Sequence, residues 1–325
     1  MRKILGVGNA LVDIIIKLDN DRILERFALP KGSMQLVDAA TALDIEKECA
    51  EMKRSMASGG SAANAIHGLA RLGISTGFIG TVGQDETGHF FHKDMVQAGI
   101  TPFLSSSQTQ TGRAISLVSR DSERTFATFL GAAVELSAKN LPDEYFNDFD
   151  LLYLEGYLAP LHTLAETAMK KARKKGMQIA LDLASYNVVA SNLDFLKEII
   201  PAYTDIVFAN ESEAQAFTGL KNPVDSLHEI ARQCKIAVVK IGDKGSLIQR
   251  GNEVHFIGIK PAKCLDTTGA GDLYAAGFLY GMNHELPLKK CGQIGAILAA
   301  NVIEELGAKI SDSRWEKIKQ DLKNI

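Results

Sequence analysis

Short, wholly apolar runs alternate with amphipathic stretches along most of this chain, and that alternation limits its possible folds more than any other feature. Strand-like runs occupy residues 3–8, 77–82, 151–154, 178–183, 205–209 and 236–241, with helical patterns at 62–72, 86–98, 163–175, 211–218 and 224–233. Runs that short and that apolar read as strands buried on both faces, and a helix between two of them is the crossover that parallel pairing needs. The expected fold class is α/β: a doubly wound, mostly parallel sheet with helices on both faces. Residues 269–305 and 313–322 read as mostly helical. Residues 14–38 and 102–130 break the pattern, with strand-like runs joined by turns and no helix of useful length. They predict a small β-sheet projecting as a lid, able to close over a substrate and exclude water.

Composition narrows the partners. A formal charge of −3 without a long basic run gives no purchase for nucleic acid or an anionic membrane, so a small polar molecule is the expected partner. The residues after Met1 enter a strand pattern with no secretory leader, and no segment is long and apolar enough to span a membrane. Cys49, Cys234, Cys264 and Cys291 are scattered without metal or redox spacing, which predicts reduced thiols and a cytoplasmic location; Cys264 is read as a packing residue. His89 and His92 lack a matching ligand set and read as a helix surface.

The chemistry concentrates in Asp266-Thr-Thr-Gly-Ala-Gly-Asp272, a glycine-bearing turn running into a helix of small residues. Glycines admit a ligand close to the backbone, and the first helical turn has unpaired N–H donors. A phosphoryl group seated on the amides of Gly269, Ala270 and Gly271 would leave Asp272 placed to take a proton from an attacking alcohol. Phosphoryl transfer is the implied reaction. The local sequence fits equally an ordinary helix start, with Asp272 stabilised by the macrodipole.

Four further segments carry candidate residues. Gly6-Val-Gly8-Asn9-Ala-Leu11 begins like a dinucleotide fingerprint, but Leu11 stands where the third glycine belongs, which excludes a nicotinamide site. Asp13 beyond it is an acid among apolar neighbours, read either as a holder of two substrate hydroxyls or as a paired structural acid. Ser58-Gly59-Gly60-Ser-Ala-Ala-Asn64 puts a glycine turn before a helix, with Asn64 offering both donor and acceptor to a sugar. Asn210-Glu-Ser-Glu213 opens a helix after a buried strand, where an amide and a carboxylate can hold a hydrated Mg²⁺; an ordinary helix cap at Asn210 fits as well. Lys240-Ile-Gly242-Asp-Lys-Gly245 ends another strand in a glycine turn, suiting a nucleotide or a hairpin. The Walker phosphate loop is absent throughout.

In this order, the segments resemble the ribokinase-like (PfkB-type) carbohydrate kinases, and among them the adenosine-kinase-like branch. The resemblance spans nearly the whole chain and implies one ribokinase-like domain over 1–325, with the lid inside it, acting as an ATP- and Mg²⁺-dependent kinase on a hydroxymethyl group. It makes Asp272 the general base, the amides before it the anion hole, Asp13, Gly59, Gly60 and Asn64 sugar-binding, and Asn210 and Glu213 the Mg–ATP site, with Glu213 acting through water. Lys240, Gly242 and Gly245 fall on the nucleotide loop, although a threonine is usual at the lysine. Asp266 and Thr268 fall near a loop that holds a monovalent cation such as K⁺ in some members. Arg124, in the presumed lid, is either solvated or closes on the transferred phosphate. The Gly-Ser-Ala-Ala-Asn64 form lacks the lysine of ribokinases, and Tyr157 matches a stretch that places aromatics against a base, so a nucleoside such as adenosine is the expected acceptor. The alternatives are a plain sugar kinase for ribose, fructose or a related sugar, and a ligand sensor without turnover. The implied assembly is a monomer or a homodimer paired through the lid.

Overall fold

The computed structural model describes residues 2–121 and 123–323. Its fourteen strands are β1 (Ile4–Val7), β2 (Leu11–Lys17), β3 (Met34–Leu36), β4 (Arg54–Gly59), β5 (Thr76–Gly83), β6 (Ile100–Ser107), β7 (Gly112–Val118), β8 (Arg124–Phe129), β9 (Leu151–Glu155), β10 (Gln178–Asp182), β11 (Ile206–Asn210), β12 (Ile236–Lys240), β13 (Ser246–Arg250) and β14 (Glu253–Ile257). Nine of them form one sheet in the order β14-β13-β12-β11-β10-β9-β1-β5-β6, and five form a second in the order β3-β8-β7-β2-β4. The run from β12 to β6 is parallel, and β13 and β14 extend it as antiparallel hairpins.

Side-chain alternation along the strands explains the layering. Ile4, Tyr153 and Ala180 point into one apolar cluster with the helices Ser61–Arg71, Ala270–Asn283 and Leu288–Val302. Their neighbours Leu5, Leu152, Leu154, Ile179 and Leu181 point into the other, with the helices His162–Lys174, Leu193–Tyr203, Glu211–Thr218 and Pro223–Ala231. Successive residues of a strand face opposite sides, so an all-apolar strand requires cover on both. The doubly wound α/β architecture expected from the alternation is the one observed.

The small sheet differs in extent from residues 14–38 and 102–130. Its strands are β2, β3, β4, β7 and β8, so 54–59 belongs to it and 102–107 does not. Residues 100–107 instead pair with β5 along its whole length, after a crossover through the helix Glu86–Gln97. The Ser and Thr content of that stretch reads as turn, but here it marks a half-exposed edge strand of the main sheet. Cys264, expected to pack, is exposed; Cys49 and Cys291 are buried. Among the described residues no helix is long and apolar enough to cross a membrane.

Candidate active site

Five parallel strands deliver their carboxyl ends to one place. Gly8 and Asn9 follow β1, and Glu155, Asp182, Asn210 and Lys240 end β9 to β12. Strand order reverses beside β1, which has the later β9 on one side and β5 on the other. Open α/β sheets leave a ligand crevice at such a point. The cleft here measures about 440 Å³ and is lined by strand ends, by the start of the helix Ala270–Asn283, and by Asp13, Ala114 and Phe126 of the small sheet.

Gly269 caps that helix in the left-handed conformation, φ 76°. A side chain there would be strained and would also meet Ala308, the Cβ lying 2.6 Å away. Gly269 and Gly271 both line the cleft, and neither N–H is engaged by another backbone group among the described residues. Ala270 departs from the expected anion hole: its N–H donates to the Thr267 carbonyl at 3.2 Å, closing the turn that starts the helix.

Asp272 follows in the first turn. Its Oδ1 accepts from Ser61 Oγ at 2.8 Å and its Oδ2 from Asn64 Nδ2 at 3.0 Å. Burial raises its pKa to about 6, the two hydrogen bonds and Lys240 pulling back while Asp182 adds to the rise. A carboxylate near neutrality is suited to accept a proton. The Asn64 carbonyl oxygen is buried without a hydrogen-bond partner among the described residues, which leaves an acceptor for a ligand hydroxyl. Asp13 lies against Gly59, where an added Cβ would fall 2.2 Å from its carboxylate, and it also lines the cleft. Burial raises the Asp13 pKa to about 7, with Lys309 opposing and Asp272 and Asp266 reinforcing. Gly60, φ 99°, starts the helix Ser61–Arg71 and touches the Asn9 carbonyl, so only glycine fits.

The opposite side of the cleft holds the other candidates. Asn210 caps its helix by accepting from the Glu213 N–H at 2.9 Å, while the Glu213 carboxylate accepts from the Asn210 N–H at 2.8 Å and its Nδ2 at 2.6 Å. The cap and the site are thus the same residues, since both also line the cleft. Burial lifts Glu213 to about 7, against the pull of Lys240. No group of three or more His, Cys, Asp or Glu residues converges to hold a metal among the described residues. The acids present, Glu213 and Asp182, suit a hydrated Mg²⁺ held through water and phosphate. Lys240 Nζ donates to Asp182 at 2.9 Å. Gly242 lines the cleft. Gly245 does not: at φ 111° it packs on the Ile257 carbonyl and closes the β12–β13 hairpin.

Arg124 lies away from the expected substrate position. It pairs with buried Asp266 and donates to Thr268 Oγ1 at 2.8 Å, which fastens β8 of the small sheet to the loop before Gly269. The Asp266 oxygens also accept from the N–H groups of Thr268 and Gly307, each at 2.5 Å. With a guanidinium and two amides on it, the Asp266 carboxylate keeps about one of its four lone-pair sites for the monovalent cation expected at Asp266 and Thr268.

Several members of the site were not legible as such. Glu155, 1% exposed, accepts from the Asn9 N–H at 2.8 Å and the Ala62 N–H at 2.7 Å, joining the two glycine segments. Burial raises its pKa to about 7 despite these bonds. Lys309 has a buried ammonium without a hydrogen-bond partner among the described residues, near Asp94, Asp13 and Asp272, and burial lowers its pKa to about 8. Phe126 joins Tyr157 as a second aromatic in the cleft. Asp182 is the one with a sequence signal, standing within an expected strand at its carboxyl end.

The pfkB family carbohydrate kinase model matches residues 33–315, and the chain belongs to that family. It is a carbohydrate or nucleoside kinase of ribokinase-like fold, and the family uses ATP with Mg²⁺. Among solved structures it is similar to an adenosine kinase from Sinorhizobium meliloti, 33% identical, with TM-score 0.87 over 98% of this chain and 99% of that one. A probable sugar kinase from Rhizobium etli CFN 42 is also 33% identical, with TM-score 0.87 and 98% of each chain covered. A nucleoside kinase from Methanocaldococcus jannaschii is 27% identical over 99% of this chain and 97% of its own.

The Glu155 contacts yield a stability test. Replacing Glu155 with Leu strands two buried N–H donors and is expected to destabilise the protein by about 2 to 6 kcal/mol in urea unfolding. Glu155→Gln, which keeps one acceptor oxygen, should lose less. A loss below about 1 kcal/mol for Glu155→Leu would show that the glycine segments hold without it.

Proposed function

We propose that this kinase transfers the γ-phosphoryl group of ATP to the hydroxymethyl group of a ribonucleoside of the adenosine type. The observation that carries this reading is Asp272, fixed through both oxygens by Ser61 and Asn64 in the first turn of a helix whose preceding glycine amides face the same cleft. Asp13 and the free Asn64 carbonyl are placed to hold ribose hydroxyls, and Tyr157 and Phe126 offer faces to a base. A plain sugar would leave those aromatic faces unused.

Each residue has a defined task. Asp272 takes the proton from the acceptor hydroxyl as its oxygen attacks phosphorus in line, and the electrons of the broken P–O bond leave with ADP. The Gly269 and Gly271 amides take the charge gathering on the equatorial oxygens. Asn210, Lys240 and Gly242 form the nucleotide side of the cleft. Bound Mg²⁺ supplies charge neutralisation for the phosphates, and Glu213 would hold it through water. The small sheet serves as the lid, with Arg124 fastening it beside the anion hole.

Asp272→Asn is expected to lower kcat by two to three orders of magnitude while nucleoside affinity stays within a few-fold, read by coupled ADP release and calorimetry. In the unaltered enzyme kcat should be retained above a pH of about 6 and fall as the pH drops below it, because a protonated Asp272 cannot receive the proton. Full turnover by Asp272→Asn would remove this residue from the reaction. The acceptor is settled by ATP consumption with adenosine, inosine, ribose, fructose and fructose phosphates: preference for the nucleosides supports the proposal, and preference for a free sugar overturns it.

A further inference from the structure

Lys240 stands out once the charges of the cleft are set side by side. Its side chain is 16% exposed, and its ammonium donates to Asp182, itself 4% exposed, at the ends of neighbouring regions of the sheet. Burial opposes the charge on Lys240, but Asp182, Glu213 and Asp272 outweigh it, and the net effect raises the pKa. The position of Lys240 relative to the helix start is fixed by Gly271: a Cβ on that glycine would lie 3.0 Å from Lys240 Nζ. The ammonium thus sits against one of the amides that would receive the transferred phosphoryl group, on the side of the cleft that carries Asn210 and Gly242.

The electrostatics ask for such a group. Asp13, Asp182, Glu213 and Asp272 line one cleft, and a triphosphate entering beside four acids is repelled unless positive charge is close by. Among the described side chains lining the cleft, Lys240 is the one cation; Arg124 is committed to Asp266, and Lys309 is not a lining residue. A lysine ammonium is a compact charge on a flexible stem, able to exchange one oxygen partner for another by a rotamer change.

We propose that Lys240 is a catalytic residue that leaves Asp182 for a non-bridging oxygen of the phosphoryl group in flight, so that Asp182 parks the ammonium while the site is empty. Resting on the kinase reading above, this assigns Lys240 to the transition state and not merely to nucleotide binding. Lys240 takes no part in the proton transfer: the acceptor proton goes to Asp272, the new bond joins the acceptor oxygen to phosphorus, and the broken bond returns its electron pair to ADP. The glycine at 271 leaves room beside the ammonium, since a Cβ there would press on Lys240 Nζ at 3.0 Å and push it by a few tenths of an ångström.

The rival role is that of a buried counter-ion for Asp182, and a paired substitution separates the two. Lys240→Met alone is expected to lower kcat by 10²- to 10³-fold, the scale of one lost transition-state donor, with KM for the nucleoside changed by less than about threefold. Lys240→Met combined with Asp182→Asn removes both charges and should recover thermal stability without recovering kcat. The second readout is binding: affinity for ADP with aluminium fluoride and nucleoside should fall in proportion to kcat, while affinity for ADP alone is nearly kept. If Lys240→Met fails to fold, the double variant carries the test by comparison with Asp182→Asn alone: a further loss of kcat and of affinity for the fluoride complex, with affinity for ADP kept, supports the proposal, and no further loss overturns it. Recovery of kcat in the double variant, wild-type kcat in Lys240→Met, or equal losses for ADP and its fluoride complex would each overturn the proposal. A wild-type enzyme inactive on every acceptor would instead refute the substrate reading, and the fluoride measurement would still report on Lys240.

Discussion

A buried carboxylate at the end of an inner strand of the main sheet, Glu155, is the contact on which the site depends. It accepts from Asn9 on one segment and Ala62 on another, and these segments carry Asp13 and Asn64 respectively within a few residues. An acid so deeply buried is held in place by backbone donors and not by a counter-ion. Its position at the first turn of the helix Ser61–Arg71 also opposes the positive end of that helix. Ser61 and Asn64 on the same turn then reach Asp272 in a helix more than two hundred residues later. One carboxylate thus aligns the segments of Asp13 and Asn64 with the helix that carries Asp272.

The same economy appears across the cleft. Asn210 and Glu213 cap a helix with each other, and the geometry that satisfies the cap also turns their polar atoms toward the cleft. Neither function needs to displace the other, because a carboxylate oxygen has lone pairs beyond those that the cap consumes. Ala184, at φ 63°, continues this rim just past Asp182. A non-glycine residue in that region carries strain, and strain of this kind gathers where a chain must turn sharply at a binding surface.

Much of this was legible in the chain because the signals are local. Apolar runs reported the parallel strands, since burial on both faces leaves no room for polar alternation. The Gly269–Asp272 segment announced a helix start with an acid in its first turn, and a helix start needs only its own sequence. What was not legible depends on distant partners. Arg124 reads as a solvated arginine or one that closes on phosphate until the fold brings Asp266 beside it. Lys309 and Glu155 give no pattern at all, being single charged residues whose meaning comes from the acids and amides that surround them. The extent of the small sheet was misjudged for a similar reason, because Ser-rich 100–107 is assigned by the strand it pairs with and not by its composition.

The interleaving of the two sheets has an evolutionary consequence. Strands β2, β3, β4, β7 and β8 enter the small sheet from separate stretches, with β5 and β6 of the main sheet threaded between them in sequence. No single cut and splice can excise that cover or trade it for another. The cover and the main sheet are therefore inherited together, as one connected unit.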